Sequence, residues 1–122
     1  TMHTAAVTLV AAPGTGKVAE FLAAELAYDK GATAYTCTGT DDFGIYYTND
    51  AGSLLSSVVD STAWIGQVTA DIVEMVDKGT AGSVVGAVNA ALVLGVSGSA
   101  SPSAGDGTVH AKVAYRVHAT GL

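Results

Sequence analysis

The chain has 122 residues and a net charge of −6, enough length for one ordinary core and too little for a complete nucleotide-driven machine. Its basic residues, Lys17, Lys30, Lys78, Lys112 and Arg116, are scattered, which excludes the clustered cationic surface that nucleic acids and anionic membranes require; neither is expected as a partner. Only 13% of residues are charged, and a surface of small polar groups solubilises poorly, so part of it is expected to be covered in an assembly.

The single Cys37 cannot close an intrachain disulfide and reads as a small buried hydrophobe. No segment approaches the ~18 consecutive apolar residues of a membrane span. The opening TMHTAAVTLVAAPG lacks a basic region, so no signal peptide is expected.

In chain order, HTAAVTLVAAPG reads as a strand ending at Pro13-Gly14, with residues 1–8 as an extended N-terminal arm. The next piece, KVAEFLAAELAY (17–28), is ambiguous. Alanine favours helix, yet Val18, Leu22, Leu26 and Tyr28 share one side of an alternation that Glu20 and Ala24 interrupt, with Phe21 opposite. Asp29-Lys30-Gly31 makes a turn and every other segment reads β, so strand is preferred. ATAYTCTGT is rich in Thr and Tyr and hence strand-prone. FGIYYTNDAGS places aromatic and β-branched residues before the turn Asn49-Asp50-Ala51-Gly52. LLSSVVDSTAWIG is expected to hold a short helical turn or an irregular crossing.

ADIVEMVDKG alternates Ile72, Glu74 and Val76 against Val73 and Met75, which is a strand pattern closing on Asp77-Lys78-Gly79. NAALVLGVSG is a continuous apolar run, as in a central strand buried on both faces. SGSASPSAGDG is loop. The chain ends with the clearest periodicity: Val109, Ala111, Val113, Tyr115 and Val117 alternate with His110, Lys112, Ala114, Arg116 and His118, one apolar face inward and one polar face outward. About eight short strands punctuated by Gly, Asn and Asp turns predict an all-β fold, an antiparallel β-sandwich or jelly roll, as a single domain over residues 1–122.

Gly14-Thr15-Gly16-Lys17 matches the end of a phosphate-binding loop, G-x-x-x-x-G-K-[ST]. There the glycines let backbone N–H groups close on phosphate and the hydroxyl binds magnesium. The first glycine position is here Ala11 and the hydroxyl position Val18, and no alternating α/β pattern surrounds them. The stretch is read as a corner, with Lys17 at the start of the next strand in solvent.

His110 and His118 share a strand face but lie roughly 27 Å apart, too far for one metal ion. With His3 they read as solvated surface. Asp41-Asp42 and Asn49-Asp50 could hold calcium if their loops met, although turn chemistry accounts for them, as it does for Asp106. No motif flanks Cys37 or any serine in the manner of a catalytic nucleophile. Among the aromatic residues, Tyr46 and Tyr47 are adjacent in a strand, so one is expected to face outward if the other is core.

The order of phrases then becomes informative. TLVAAPGTGKV, LAYDKGATAY, IYYTNDAGS, NAALVLGVSG and the closing AGDGTVHAKVAYRV together resemble small β-sandwich head proteins of tailed bacteriophages, of the decoration or cement type. The resemblance runs from Leu9 to Val117 and departs in the alanine-heavy segment 19–27 and the HATGL tail. It implies a non-enzymatic virion protein on the capsid exterior, often trimeric, that bridges neighbouring major capsid subunits. On that reading the expected contacts are Met2, Val7 and Leu9 in the N-terminal segment, and the loops around Trp64 and Pro102. The alternative is a fibre- or tail-associated jelly roll binding a host-surface glycan, with Trp64 and an exposed tyrosine as the stacking platform. Neither reading assigns a catalytic residue, metal or cofactor.

Overall fold

The computed structural model describes residues 6–79, 83–97 and 102–122. Its elements are β1 (Val7–Val10), β2 (Lys17–Asp29), β3 (Asp42–Tyr47), β4 (Val59–Asp60), α1 (Ser61–Trp64), β5 (Ile72–Asp77), β6 (Leu92–Val96) and β7 (Thr108–Ala119). They form two antiparallel sheets, ordered β1-β6-β3-β4 and β5-β2-β7. The chain is therefore an all-β antiparallel sandwich, with seven strands among the described residues.

The core fills the space between the sheets. Phe43, Ile45 and Tyr47 of β3 stand opposite Val96, Leu94 and Leu92 of β6, and all six side chains are buried. They face Ala19, Phe21, Ala24, Leu26 and Tyr28 of β2. The β6 run is buried on both faces, as its unbroken apolar sequence predicts.

β2 is a strand of thirteen residues despite its alanines. Its alternation breaks because Phe21 pairs with Tyr115 while Ala23 pairs with Ala114, which leaves Leu22 as the extra residue of a β-bulge. The bulge changes the phase. Odd positions (Ala19, Phe21) face inward before it and even positions (Ala24, Leu26, Tyr28) after it. This corrects the single-sided grouping of Val18 and Leu22 with Leu26 and Tyr28.

Two further expectations are revised. ATAYTCTGT forms no strand beyond an isolated bridge from Thr36 to Ser103. Its backbone is tied elsewhere: the Tyr35 N–H donates to the Ile65 carbonyl at 3.2 Å, and the Thr38 N–H to Oδ2 of Asp41 at 3.0 Å. Tyr46 does point away from Tyr47, yet both are buried. Gly44 and Gly95 lie directly opposite each other on β3 and β6. The space their missing side chains leave takes the Tyr46 ring, with Leu54 and Asp50 folded over it. A Cβ on Gly44 would sit 2.6 Å from Leu54 Cδ1, and one on Gly95 2.9 Å from Asp50 Cβ. The turn after β3 therefore covers the outer face that alternation would leave wet.

The short crossing contains the expected helical turn, α1. Asp60 caps it, accepting from the Thr62 N–H at 2.8 Å. Trp64 closes one end of the core, edge-on to Tyr28 and Phe43 with ring centroids 6.3 and 5.3 Å away.

Candidate functional site

β1 is an edge of the four-stranded sheet and β7 an edge of the three-stranded one. Among the described residues a cleft opens between the sheets beside these two strands. The cleft has a volume of about 660 Å³. Val7, Thr8 and Leu9 of β1 form one wall, and Thr108, Val109 and Ala111 of β7 the other. Phe43, Ile65 and Leu94 make the floor, and 102–105 closes one side. Among the described residues, none that lines it carries a carboxylate, imidazole, ammonium, guanidinium or thiol group, and its polar side chains are the hydroxyls of Thr8, Tyr35, Ser103 and Thr108. The Tyr35 hydroxyl there donates to the Gly107 carbonyl at 2.9 Å.

The structure thus brings three of the sequence-derived contact residues to one place. Val7 (38% exposed) and Leu9 sit in the β1 wall, and Pro102 is buried at the cleft's side. Met2 lies outside the described residues, as does most of the proposed arm.

Trp64 is a correction. It is fully buried, with Nε1 directed at the Ile72 carbonyl 3.4 Å away, so its face is available neither to a capsid subunit nor to a sugar. Tyr115 of β7, 46% exposed, is the large exposed aromatic among the described residues. Sequence reasoning placed it in the inward row, which is right about its side of the sheet and silent about what covers it.

On the outer face of the three-stranded sheet, Glu20 of β2 collects three basic groups. Lys78 Nζ is 2.9 Å from Oε1, while Arg116 Nη2 (3.1 Å) and His118 Nε2 (2.6 Å) reach Oε2. The hydrogen bond from Lys78, then that from His118, with a lesser pull from Arg116, holds its pKa down from 4.5 to about 2 against the opposing effect of desolvation. Such a carboxylate is a fixed anion and a poor proton acceptor near neutrality. Glu25 and Lys112 form a second pair at 3.0 Å. A smaller cleft of about 320 Å³ beside Glu20 and Lys78 is lined by Val18, Tyr47, Leu55 and Val84 among others.

The remaining motifs resolve locally. Gly14 and Gly16 adopt φ of +102° and +69°, and the Lys17 N–H donates to the Gly14 carbonyl at 3.2 Å. β2, not a helix, follows. The stretch is a left-handed corner between strands, pinned by Asn89 Oδ1, which accepts from the Gly14 N–H at 2.9 Å. His110 is exposed on β7, and His3 lies outside the described residues. Cys37 is half-buried, less enclosed than expected. Desolvation pushes its thiol pKa up, so it stays protonated and unreactive at neutral pH.

Among the described residues no three His, Cys, Asp or Glu side chains converge on a metal-sized site. Asp41 is buried as a turn residue and Asn49 accepts from the Ala51 N–H at 3.0 Å, so each has a local role. Asp106 likewise accepts from the Thr33 N–H at 2.8 Å. Comparison of the chain with protein-family models, curated proteins and solved structures finds no match.

Proposed function

We propose that this chain is a non-enzymatic adhesive module, a head decoration protein of tailed bacteriophages that docks on the outside of the capsid and ties neighbouring major capsid subunits together. The observation that carries the reading is the cleft beside β1 and β7. Val7, Leu9 and Pro102 meet there over an apolar floor of Phe43, Ile65 and Leu94, and the polar side chains among its described lining residues are the hydroxyls of Thr8, Tyr35, Ser103 and Thr108, with no charged group beside them. A surface of that kind gains free energy by burial against a partner.

Cementing works by mass action: a protein that binds only the assembled shell stabilises each site by RT ln(1 + [L]/Kd), with [L] its free concentration. Each contact then needs roughly 1,200–2,000 Å² of buried surface. The low charge content lowers the desolvation cost of covering so much of a small domain. A net charge of −6 suits a part held away from packaged DNA. On this reading the protein assembles as a homotrimer on the virion exterior.

The test is add-back. Purified protein mixed with expanded heads that lack it should co-sediment with them and raise their melting temperature, and light scattering should give the mass of a trimer. A monomer with no affinity for heads overturns the reading.

A further inference from the structure

β7 is twelve residues long and hydrogen-bonds to β2 on one side only. Among the described residues no strand pairs with its other side. Folded proteins protect such edges with a proline, a bulge, an inward charge or a covering loop, because the unpaired N–H and C=O groups invite a further strand. β7 has no proline or glycine, and the bulge belongs to β2. Its inward row is entirely apolar: Val109, Ala111, Val113, Tyr115 and Val117. Tyr115 and Val117 remain 46% and 48% exposed. That row runs on from the cleft, so a strand laid along β7 would send alternate side chains over the same apolar floor.

The outer row of the strand carries His110, Lys112, Arg116 and His118, and no carboxylate lies anywhere in β7. The side chains of Lys112 and Arg116 stay 82% and 62% exposed although each meets a glutamate of β2. A new strand on the free side would set its own outer residues next to these cations, and opposite charges across a strand pair are favourable.

We propose that the free edge of β7 receives an extended segment of another protein in which apolar and acidic residues alternate. Main-chain hydrogen bonds to the edge hold the segment, its apolar residues cover Tyr115, Val117 and the cleft, and its carboxylates lie beside Lys112 and Arg116. A second copy of this chain is the poorer occupant. An antiparallel β7–β7 contact centred on Ala114 places Lys112 of one copy opposite Arg116 of the other, and one centred on Lys112 or on Arg116 places that cation opposite its own counterpart in the other copy. Like charges are thereby paired. The inference does not rest on the decoration reading. Failure of head add-back with intact peptide binding would remove that reading alone.

The test uses the full chain and fluorescein-labelled peptides of about eight residues that alternate valine with glutamate or valine with lysine. The valine–glutamate peptide should bind about tenfold more tightly at low salt, from two or more improved cross-strand charge pairs. The gap should narrow as salt is added. N-methylating one alternate set of amides in the peptide should abolish binding, and methylating the other set should leave it intact. Val117→Asp should weaken the peptide by about tenfold with an unchanged circular dichroism spectrum, because it places a carboxylate in the apolar row. Absence of binding, equal affinity for both peptides, or tolerance of both methylation patterns overturns the proposal. So does a dimer that Val117→Asp dissociates, since β7 would then already be taken.

Discussion

Trp64 separates a core residue from a docking residue, and its replacement can be worked through. The side chain is fully enclosed, edge-on to Tyr28 and Phe43, with Ile65 also buried beside α1. Trp64→Ala removes the indole and leaves a cavity whose walls are held by two sheets, so collapse is limited. The expected loss is about 3–5 kcal/mol, set against a total of roughly 5–15 kcal/mol for a domain of this size. With a urea slope of about 2 kcal/mol/M, the unfolding midpoint should fall by about 2 M. Because the chain has a single tryptophan, the variant must be followed by far-ultraviolet circular dichroism. In the unmutated protein the same residue should report a blue-shifted, quench-resistant emission. Trp64→Phe keeps an aromatic plug and should recover most of the loss. If Trp64→Ala left stability within about 1 kcal/mol, the burial argument would be wrong. A glycan-stacking role would regain its footing.

Three further outcomes follow from individual contacts. Tyr47→Phe removes the hydroxyl that donates to the Ala19 carbonyl at 2.7 Å and leaves that buried acceptor unpaired, which should cost about 1–3 kcal/mol in denaturant unfolding. Gly95→Val forces a branched side chain into space already held by Asp50 and the Tyr46 ring. It should destabilise by at least about 2 kcal/mol and expose Tyr46 to solvent, read by second-derivative tyrosine absorbance. Glu20 has its folded pKa lowered to about 2 from 4.5, so the stability it contributes is present above pH 4.5 and is lost as pH falls toward 2. Glu20→Gln should flatten that part of the melting-temperature profile; an unchanged acid limb would show that the Lys78, Arg116 and His118 contacts contribute nothing.

Where periodicity is undisturbed, the sequence was a sufficient guide. β6 and β7 stand where the apolar run and the period-two row put them. Alternation reports which side of a sheet a residue takes, not how much material covers that side. Hence the side of the sheet that Tyr115 takes is legible and its exposure is not, because that exposure follows from β7 being the edge strand of the smaller sheet. The same gap explains Tyr46, whose cover comes from a turn that fits only because two glycines happen to be cross-strand neighbours. ATAYTCTGT carries strand propensity that was overridden by long-range backbone bonds to Ile65 and Ser103. Of the cleft, Val7, Leu9 and Pro102 were named as separate contact points, whereas Phe43 and Leu94 were hidden as ordinary core. Nothing short of the strand order could join them.

The bulge in β2 allows the sharpest test of the register itself. Leu22 is the unpaired residue between Phe21↔Tyr115 and Ala23↔Ala114. Deleting it would restore strict alternation: Ala19, Phe21, Ala24, Leu26 and Tyr28 would still all face inward, and Glu20 and Glu25 would still face out. Deleting Glu25, three positions on, does the opposite. Leu26 and Tyr28 would rotate to the outer face while Ala27 turned inward, unless the end of the strand slipped by one residue against both β5 and β7. Two large side chains now 1% exposed would be lost from the core, at about 1.5–3 kcal/mol each. The two deletions shorten the same strand by the same amount, so loop strain is closely matched. ΔLeu22 should therefore fold with a small change in urea midpoint, and ΔGlu25 should lose most of its cooperative transition. Equal damage from both would mean that the phase change at Phe21–Ala23 does not exist in solution, and the assignment of inward and outward rows on β2, and with it on β7, would have to be redrawn.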